Sequence, residues 1–511
     1  MDNPQEPKPV TLTAMLVLVI CVLLFYYLCS SIYLAFFHPL AAFPGPWTAS
    51  VSRLPFAISS VRGETYKWLD KLHQEYGPVV RIAPGELTTI SPGAWKDIYL
   101  KRPQLPKDPR SQTPPMNGAD SLFTADGHTH TRMKRTFTSA FSDKALREQS
   151  PVIESYTDLF IQRLRREIGK AASGEKGIDL AKYYGYAALD IIADLTFGES
   201  FHGLKGDNEH DWVLGFFLGA KFGAIRNSLS YFYPLDRLFG LIFLRLTAKN
   251  RSRNWSHTSE CVTSRLAIGA AGIERSDFMT PVIGNVNESK KKGITRDELN
   301  TNSLAVVIAG SQLTTVALAT ATYLLLKTPE KYRRLQQEIR SSFTDENELS
   351  ITSTQSLPYL SAVVDESIRI HHPTPIHLPR IIGPEGQKVD GQWIPGNTII
   401  GMALQTAQTS SAYWEHPSSF SPERFLPSEH QWYESRFGND KKEVFHPFSI
   451  GNRSCLGGKV FLSEAKLILA RVIFAFDLEI SAQTSENWMD QKAYLVFEPQ
   501  ALYVHLRERG I

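Results

Sequence analysis

Cysteine is scarce in this chain of 511 residues, which contains only four. Two of them, Cys21 and Cys29, lie in an apolar N-terminal segment, which leaves Cys261 and Cys455 for the rest of the chain. Two cysteines cannot supply a disulfide framework, and so few thiols suit a reducing compartment. We therefore expect no disulfide-stabilised fold, and Cys261 is predicted to be an ordinary core residue.

An excess of charge of one sign is also missing. The net charge is +3 at pH 7, and the chain has no long basic tract. It therefore has no general attraction to nucleic acid, and we expect no nucleic-acid partner. Apolar residues make up 42% of the chain and charged residues 21%, which is typical of a globular protein rather than a disordered one.

Charged residues are absent from Val10 to Phe37. This run is longer than the ~20 apolar residues that cross a bilayer, and it is about twice the apolar region of a cleaved signal peptide. Basic residues that follow it, such as Arg53 and Arg62, favour a body on the cytosolic side. The sequence therefore predicts a retained single-pass anchor. The predicted segments are a short lumenal N-terminus (1–9), a transmembrane anchor (10–37), a proline-rich hinge (38–50) and one body (51–511).

The body combines many helical segments with a few β segments. VVRIAPGELTTI, which begins at Val79, has strand character. From about Trp95 onward helical periodicity dominates, and residues 190–198 and 305–327 are expected to form buried helices. The segment that begins at Arg380 is rich in turns and β-like. The sequence thus predicts a mainly α fold with a small β subdomain.

Cys455 lies in a glycine-rich loop, FSIGNRSCLGG, and a helix is expected to begin near Gly458. Cationic groups, a metal or a helix N-terminus stabilise a thiolate, and this loop has an arginine and a helix start close by. Gly451 and Gly457 would let the backbone approach a flat macrocycle, and Arg453 is placed to meet a haem propionate. The pattern therefore favours a thiolate ligand to haem iron.

Other roles for Cys455 are weaker. An inert buried thiol would not explain six defined positions around the sulfur. A cysteine nucleophile would need a histidine base, for which His446 alone is weak support. The histidines His371, His372 and His377 do not suggest zinc, because proline breaks the helical spacing between them. We expect those three to pack in the core or to line a pocket.

Two charged motifs precede this loop. ESIR places Glu366 and Arg369 three residues apart on one helix face, and PERF supplies Arg424. Each motif alone is commonplace, since an isolated surface ion pair contributes little stability. Their order before the cysteine loop is informative. Together these stretches resemble the cytochrome P450 family, and the resemblance extends over essentially the whole chain.

The resemblance implies a fold, a cofactor and a set of contacts. The fold is the cytochrome P450 fold, mainly α with a small β subdomain, preceded by one transmembrane helix. The cofactor is haem b (iron protoporphyrin IX), with Cys455 as the axial ligand of the iron, and residues 51–511 would form the haem-binding monooxygenase domain. Glu366, Arg369 and Arg424 would form a buried network that fixes one geometry rather than adding stability. The other implied cofactor contacts are Phe448, Gly451, Arg453, Gly457, His130, Lys134 and Arg380.

Three of these contacts rest on two further stretches. GHTHTRMKRTFTSAFS resembles the family's helix C, where His130 and Lys134 would hold the propionates. Many relatives have arginine at the second position, and lysine holds a carboxylate only as a point charge. Arg380, in HLPR, matches another propionate contact of the family.

The central helix departs from the family pattern. Relatives usually show Ala-Gly-x-Asp/Glu-Thr, in which the acid and the threonine relay protons. This chain has AGSQLTT from residue 309, so Gln312 stands at the position of the acid and Leu313 at that of the threonine. Glutamine cannot ionise, and leucine cannot donate a proton. The catalytic candidates on this helix are Gly310, Ser311, Gln312 and Thr314.

Three explanations of this departure stay open. Ser311, Thr314 or a substrate hydroxyl organises the relay water of an ordinary monooxygenase, which is the explanation we favour. Alternatively, the enzyme uses an earlier oxidant, or performs coupling or ring-forming chemistry that needs less proton delivery. Finally, it rearranges a peroxide without molecular oxygen or a reductase. A haem-binding carrier or sensor without turnover is a different class again.

The resemblance also implies partners. The chain has no flavin or dinucleotide fingerprint and leaves no residues for a reductase domain. Electrons would come from NADPH–cytochrome P450 reductase, with cytochrome b5 as an optional second partner. The most similar members are fungal microsomal enzymes, which implies the endoplasmic reticulum membrane with the catalytic domain in the cytosol. The substrate is expected to be a lipophilic natural product of secondary metabolism, such as a terpenoid, polyketide or indole alkaloid. The candidate pocket segments, which are mostly apolar, are 103–124, 212–222, 306–313, 374–378 and 494–497.

Two surfaces are expected to have roles. Basic residues on the thiolate side would steer an acidic redox partner, although scattered solvated charge is the alternative. Residues 228–246 would form a pocket roof that dips into the membrane lipid, although ordinary core helices are the alternative there. The basic residues are Arg132, Lys134, Arg135, Lys441, Lys442 and Lys459.

Overall fold

The computed structural model describes residues 12–112, 117–171, 177–206, 211–269, 275–286 and 293–510. The predicted lumenal segment (1–9) and the first residues of the predicted anchor lie outside this part of the chain. The described residues are mainly helical, with three small sheets. The prediction of a mainly α fold with a small β subdomain is confirmed.

Helices account for most of the described residues. The α-helices are α1 (Leu12–Ile32), α2 (Trp47–Val51), α3 (Leu54–Arg62), α4 (Thr65–Tyr76), α5 (Pro92–Ala94), α6 (Gly127–Thr138), α7 (Asp143–Ala171), α8 (Leu180–Phe197), α9 (Asp211–Leu229), α10 (Leu235–Ile268), α11 (Thr280–Ile283), α12 (Arg296–Lys327), α13 (Pro329–Ser342), α14 (Ile351–Thr354), α15 (Pro358–Ile370), α16 (Leu404–Thr409) and α17 (Gly458–Ala475). The π-helical segments are Tyr33–Phe37 and Trp95–Tyr99. The 3-10 turns are Pro109–Ser111, Ser139–Phe141, Glu346–Glu348, Pro422–Phe425, Ser435–Asn439, Lys442–Val444 and Gly451–Arg453.

The strands form one four-stranded sheet and two smaller ones. The strands are β1 (Val79–Ala83), β2 (Glu86–Thr89), β3 (Ile178–Asp179), β4 (His377–Ile381), β5 (Gln387–Val389), β6 (Gln392–Ile394), β7 (Ile399–Ala403), β8 (Phe476–Ile480) and β9 (Tyr503–Glu508). The largest sheet has the order β1-β2-β7-β4, in which only the β2–β7 pair is parallel. Both segments with predicted β character, from Val79 and from Arg380, therefore contribute to this sheet.

The N-terminal helix is apolar and exposed. The helical run Leu12–Phe37 has a mean hydropathy of 2.7, and none of its apolar window is buried in the protein. The other described helix that is long and apolar enough to span a membrane is α12, and two-thirds of its apolar window is buried. The first is therefore a candidate membrane span, as predicted, and α12 is a core helix.

A buried arginine joins this span to the body. The Arg81 side chain, on β1, is fully buried and donates to the Leu34 carbonyl at 3.0 Å and to the Pro84 carbonyl at 2.8 Å. Within the predicted proline-rich hinge (38–50), Leu40 and Phe43 are buried against the same sheet. Packing of this kind fixes the direction in which the span leaves the body.

The central helix α12 begins at a capping box. The Thr295 hydroxyl accepts from the Glu298 amide, and the Glu298 carboxylate accepts from the Thr295 amide. The same carboxylate binds Arg132 of α6 at 2.7 Å, and both side chains are buried. The prediction that Arg132 belongs to an exposed basic patch is therefore wrong, because its charge is used between α6 and α12.

Candidate active site

The cysteine loop is held by its own backbone. The Cys455 amide donates to the Phe448 carbonyl at 2.9 Å, and the Ser454 amide donates to the Gly451 carbonyl at 3.1 Å. Gly451 has φ 78°, and a side chain there would run into the Tyr99 carbonyl. The nearest atom to a side chain at Gly457 would be a ring carbon of Phe141 at 3.9 Å. Gly451 is thus required by its packing on Tyr99, whereas a side chain at Gly457 would make only an ordinary contact.

Cys455 has no disulfide partner, and the residue is exposed. The protein around it nevertheless desolvates the thiol and raises its pKa, while the amides of Gly457 and Gly458 and the Lys134 ammonium act in the opposite sense. Because Cys455 is exposed and yet surrounded by protein atoms that desolvate its thiol, it lies in a concave opening. Because the net pKa is raised, the helix end and the lysine do not by themselves produce a thiolate. A metal cation that binds the sulfur would.

Five basic side chains gather beside this opening. The pKa of Lys107 is lowered to about 7 by desolvation and by the charges of Arg453 and Arg380. The pKa of His130 is lowered to about 4 by desolvation and by Arg453, Lys134 and Lys107. The carboxylate of Asp126 binds the Arg453 guanidinium. One acid does not balance this cluster, so the opening attracts anions.

Several donors in this cluster are buried and have no protein partner. They are Nε and one terminal nitrogen of Arg453 and Nδ1 of His130. Unpartnered buried donors are costly unless a ligand uses them. A haem carries two propionates, which would both balance the charge and accept from these donors. The residues present therefore fit a haem with its thiolate side at Cys455.

Like Arg453, the predicted propionate contacts Lys134 and Arg380 also have bonds within the protein. Lys134 donates to the Asn452 carbonyl at 2.6 Å, which ties α6 to the cysteine loop. Arg380 donates to the Pro379 carbonyl at 2.8 Å and lies over the Tyr99 ring. Lys107 was missed by the sequence analysis, because it comes from a loop with no motif or periodicity.

The structure brings Glu366, Arg369 and Arg424 together, and the three side chains are fully buried. Arg369 binds Glu366 through two bonds of 2.7 Å and 2.9 Å, and Arg424 binds the same carboxylate at 3.1 Å. Arg424 also pairs with Asp440, which the sequence analysis missed. Two arginines thus face two carboxylates, and the network is neutral. The contacts come from α15 and the Pro422–Phe425 turn, so the network joins these two elements.

The central helix presents an apolar face. Among the residues around its midpoint, Val306, Ala309 and Leu313 are partly accessible and lie on one side of α12. Thr314 is 1% exposed, so Leu313 and not Thr314 occupies that side. A side chain at Gly310 would approach the Ile192 side chain to 2.5 Å, so the glycine permits the close packing of α12 on α8.

The hydroxyls of α12 differ in their bonds. Ser311 donates to the Val307 carbonyl at 2.8 Å, and Thr315 donates to the Ser311 carbonyl at 2.7 Å. Thr314 has a buried hydroxyl with no partner. Gln312 is 5% exposed. Near the centre of α12, the Thr314 hydroxyl is therefore not used by a bond within the helix.

The predicted histidine and pocket positions have simpler environments. His371, His372 and His377 are buried, which agrees with the prediction that they pack in the core or line a pocket. The pocket segments 103–124 and 212–222 lie partly outside the described residues and side chains. Cys261 is buried, as predicted.

Comparison with known proteins agrees with this geometry. The sequence model of the family described as Cytochrome P450 matches residues 44–506. The chain is 37% identical to "Cytochrome P450 monooxygenase lcsI" of Purpureocillium lilacinum, over 95% of this chain and 92% of the relative. It is 35% identical to the "Averantin hydroxylase" of Dothistroma septosporum, over 96% of this chain and 90% of the relative. It is also 35% identical to "Cytochrome P450 monooxygenase stcF" of Emericella nidulans, over 96% and 99%.

A family match of this extent also establishes the fold and the haem cofactor that the sequence predicted. The chain belongs to the cytochrome P450 family of haem–thiolate monooxygenases.

Proposed function

We propose that this protein oxidises a lipophilic natural product in fungal secondary metabolism, using dioxygen and electrons from NADPH–cytochrome P450 reductase. One observation carries the proposal: an exposed cysteine lies beside a cluster of unbalanced, partly unpartnered cations. The relatives support the substrate class, since two of the curated relatives are named as averantin hydroxylases.

The protein would hold the haem at its iron and at its propionates. Cys455 would ligate the iron, and the propionates would accept from Arg453, His130 and Arg380. When bound, a haem with a thiolate ligand activates dioxygen, because the thiolate supplies electron density that favours O–O cleavage. The remaining proposed contacts are Lys134 and Lys107, which face the same opening, and Phe448, Gly451 and Gly457, which shape the loop.

The buried network would keep the thiolate side rigid. Glu366 accepts from Arg369, from Arg424 and from the Ser421 amide, so each of its oxygens has a partner. Arg369 further donates to the Gln408 carbonyl at 2.8 Å. We infer that this network holds the chain that leads to the cysteine loop in one arrangement.

The substrate would lie against the apolar face of α12. Val306, Ala309 and Leu313 have no polar side-chain atoms, so they can exclude water and contact a lipophilic molecule but cannot supply a proton. Thr314 has a buried hydroxyl without a protein partner near the centre of this helix, and Gln312 can orient a water molecule without ionising. We infer that protons reach the substrate side through water held by Thr314 and Gln312, or through a hydroxyl of the substrate. In this arrangement Ser311 acts only within the helix, because Val307 already accepts its proton.

The partners follow from the anchor and the surface charge. The apolar helix Leu12–Phe37 would cross the endoplasmic reticulum membrane once and leave the catalytic domain, residues 51–511, in the cytosol. Arg135, Lys441 and Lys442 are exposed and would attract an acidic surface of the reductase or of cytochrome b5. Lys459 is less available, since it pairs with Asp143 at 2.6 Å.

Reconstitution in microsomes tests the proposal. Membranes that contain the protein, with and without the reductase, are given fungal metabolite extracts and NADPH, and product masses are compared. We expect products that gain one oxygen atom, only when the reductase is present. Products that form without reductase or NADPH would instead support the isomerase or peroxide-using alternative suggested by Leu313. NADPH consumption that no extract stimulates would support a carrier.

A further inference from the structure

An aromatic pair lies where the cysteine loop meets the start of α17. The rings of Phe448 and Phe461 meet edge to face, with 5.5 Å between their centroids and 67° between their planes. Aromatic rings favour this arrangement, because the positive edge of one ring meets the negative face of the other. Phe448 belongs to the loop, whereas Phe461 belongs to α17. The helix thus contacts the loop through a side chain that lies outside the cysteine motif.

Phe448 is held at its backbone and at its ring. Its carbonyl accepts from the Cys455 amide at 2.9 Å. Its ring packs on the first residue of α17, since a side chain at Gly458 would approach Cγ of Phe448 to 3.0 Å. Gly458 and Phe461 are three residues apart and therefore lie on one face of the helix. The Phe448 ring thus contacts two successive positions of this face.

The same first turn of α17 interacts with the sulfur. Desolvation raises the pKa of the Cys455 thiol, and the amides of Gly457 and Gly458 lower it. Gly458 therefore meets the sulfur through its amide and Phe448 through its packing. A displacement of the Phe448 ring would change the surroundings of the sulfur.

A second aromatic pair borders the other glycine. The ring of Phe141 stacks on that of Phe278, with 4.5 Å between their centroids. A ring carbon of Phe141 would lie 3.9 Å from a side chain at Gly457. Aromatic rings thus border both glycines whose amides interact with the sulfur. An apolar shell of this kind controls solvent access and local polarity at a metal site, and so its reduction potential.

We propose that Phe461 is a positioning residue for the thiolate: it holds the Phe448 ring against Gly458, keeps the sulfur side of the haem apolar and so lowers the reduction potential of the iron. The physical reason is charge. Iron(III), a porphyrin dianion and one thiolate have no net charge together, and the electron supplied by the reductase makes the group negative. Apolar surroundings disfavour the charged form. The inference rests on Cys455 as the axial ligand, but not on the substrate or the reaction.

Redox titration of the full-length holoprotein, followed by its absorption spectrum, tests this role. Phe461→Leu removes the ring and keeps an apolar side chain. Phe448→Leu and the double variant complete a double-mutant cycle. Phe474→Leu is the matched control, because Phe474 lies on the same helix, is 7% exposed and packs under Arg509. The reduced carbon monoxide spectrum of each protein reports whether the thiolate is bound.

We expect Phe461→Leu to shift the reduction equilibrium about tenfold toward the reduced form, which is a positive shift of about 59 mV for a one-electron couple. In the Phe448→Leu background the same substitution should cause no further shift, because Phe461 acts through that ring. Phe474→Leu should lower the denaturation midpoint and leave the potential unchanged.

An unchanged potential in Phe461→Leu would overturn the proposal. So would shifts that add in the double variant, because Phe461 would then not act through Phe448. An equal shift in Phe474→Leu would also overturn it, since the potential would then follow general stability. Absence of the red-shifted carbon monoxide band from the wild type would instead contradict Cys455 as the axial ligand.

Discussion

The buried network behind the cysteine loop and the face of α12 differ in how they use polar groups. In the network, the oxygens of Glu366 are bonded, and Arg369 and Arg424 each have several acceptors. On α12, the accessible side chains Val306, Ala309 and Leu313 are apolar, and the free hydroxyl of Thr314 is buried. The first region is specified by bonds that permit one geometry. In the second, the accessible side chains have no polar group.

If this comparison is right, the two regions respond differently to substitution. Changes in the network should cost folding, because each removal leaves a buried charge without its partner. Changes on the face of α12 should cost little folding and should alter the outcome of turnover. The predictions that follow are ordered by the size of the expected effect.

Arg369→Met should be the most damaging change. It leaves the Glu366 carboxylate buried with one cation fewer, and breaking a buried pair in this way costs ~3–5 kcal/mol. We expect little haem-containing protein and a much lower denaturation midpoint. Arg333→Met is the control, because Arg333 is exposed and binds only a carbonyl of its own helix. Equal stability of the two variants would show that the network does not support the fold.

His371 tests the contact between the two regions. It directly follows α15. Its Nδ1 lies 3.1 Å from the Thr320 hydroxyl of α12, and its ring stacks on Phe497 with 3.7 Å between the ring centroids. Desolvation lowers its pKa to about 3, from an ordinary value near 6.5. The unfolded chain therefore binds a proton below pH 6.5 that the folded protein does not, so stability falls as the pH falls. The contribution of this residue is a loss of ~2 kcal/mol between pH 7 and pH 5.

His371→Phe keeps the stacked ring and removes the titration. Denaturant unfolding at pH 7 and pH 5 should show a smaller loss of stability in this variant than in the wild type. The same loss in both proteins would mean that His371 is already protonated in the folded state, or that it plays no part in the acid response.

Leu313→Thr should have the smallest effect on stability and a specific effect on turnover. It places a hydroxyl on the accessible side of α12, at the position where relatives have threonine. We expect a larger share of the NADPH consumed to appear as oxidised product and a smaller share as hydrogen peroxide. Leu313→Val is the matched control, because valine has the branched shape of threonine but lacks its hydroxyl. Identical product yields from the two variants would exclude this position from proton delivery.

Local patterns were sufficient to predict much of the fold and part of the site. The buried helix at residues 305–327 was predicted from its apolar sequence and lies within α12, and the β segments from Val79 and Arg380 followed from their turns and strand-like residues. The cysteine loop and the Glu366–Arg369 pair could be found because the residues involved are close in sequence. Their geometry follows from one loop and one helix turn.

Contacts between distant segments could not be predicted in this way. Asp126 meets Arg453, and Tyr231 meets Asp108, across more than a hundred residues of sequence. Each of these residues lies in a turn or loop that has no periodicity. The burial of Arg132 was missed for the same reason, since its partner Glu298 is visible only once α6 packs against α12.

The axial ligand is the central claim, and the spectrum of the reduced carbon monoxide complex tests it most directly. Wild-type protein and Cys261→Ser should both show the strongly red-shifted Soret band of thiolate ligation, because Cys261 is buried in the core. Cys455→Ser should bind haem weakly and lack that band. A Cys455→Ser protein with the same band and the same haem content as the wild type would contradict the account.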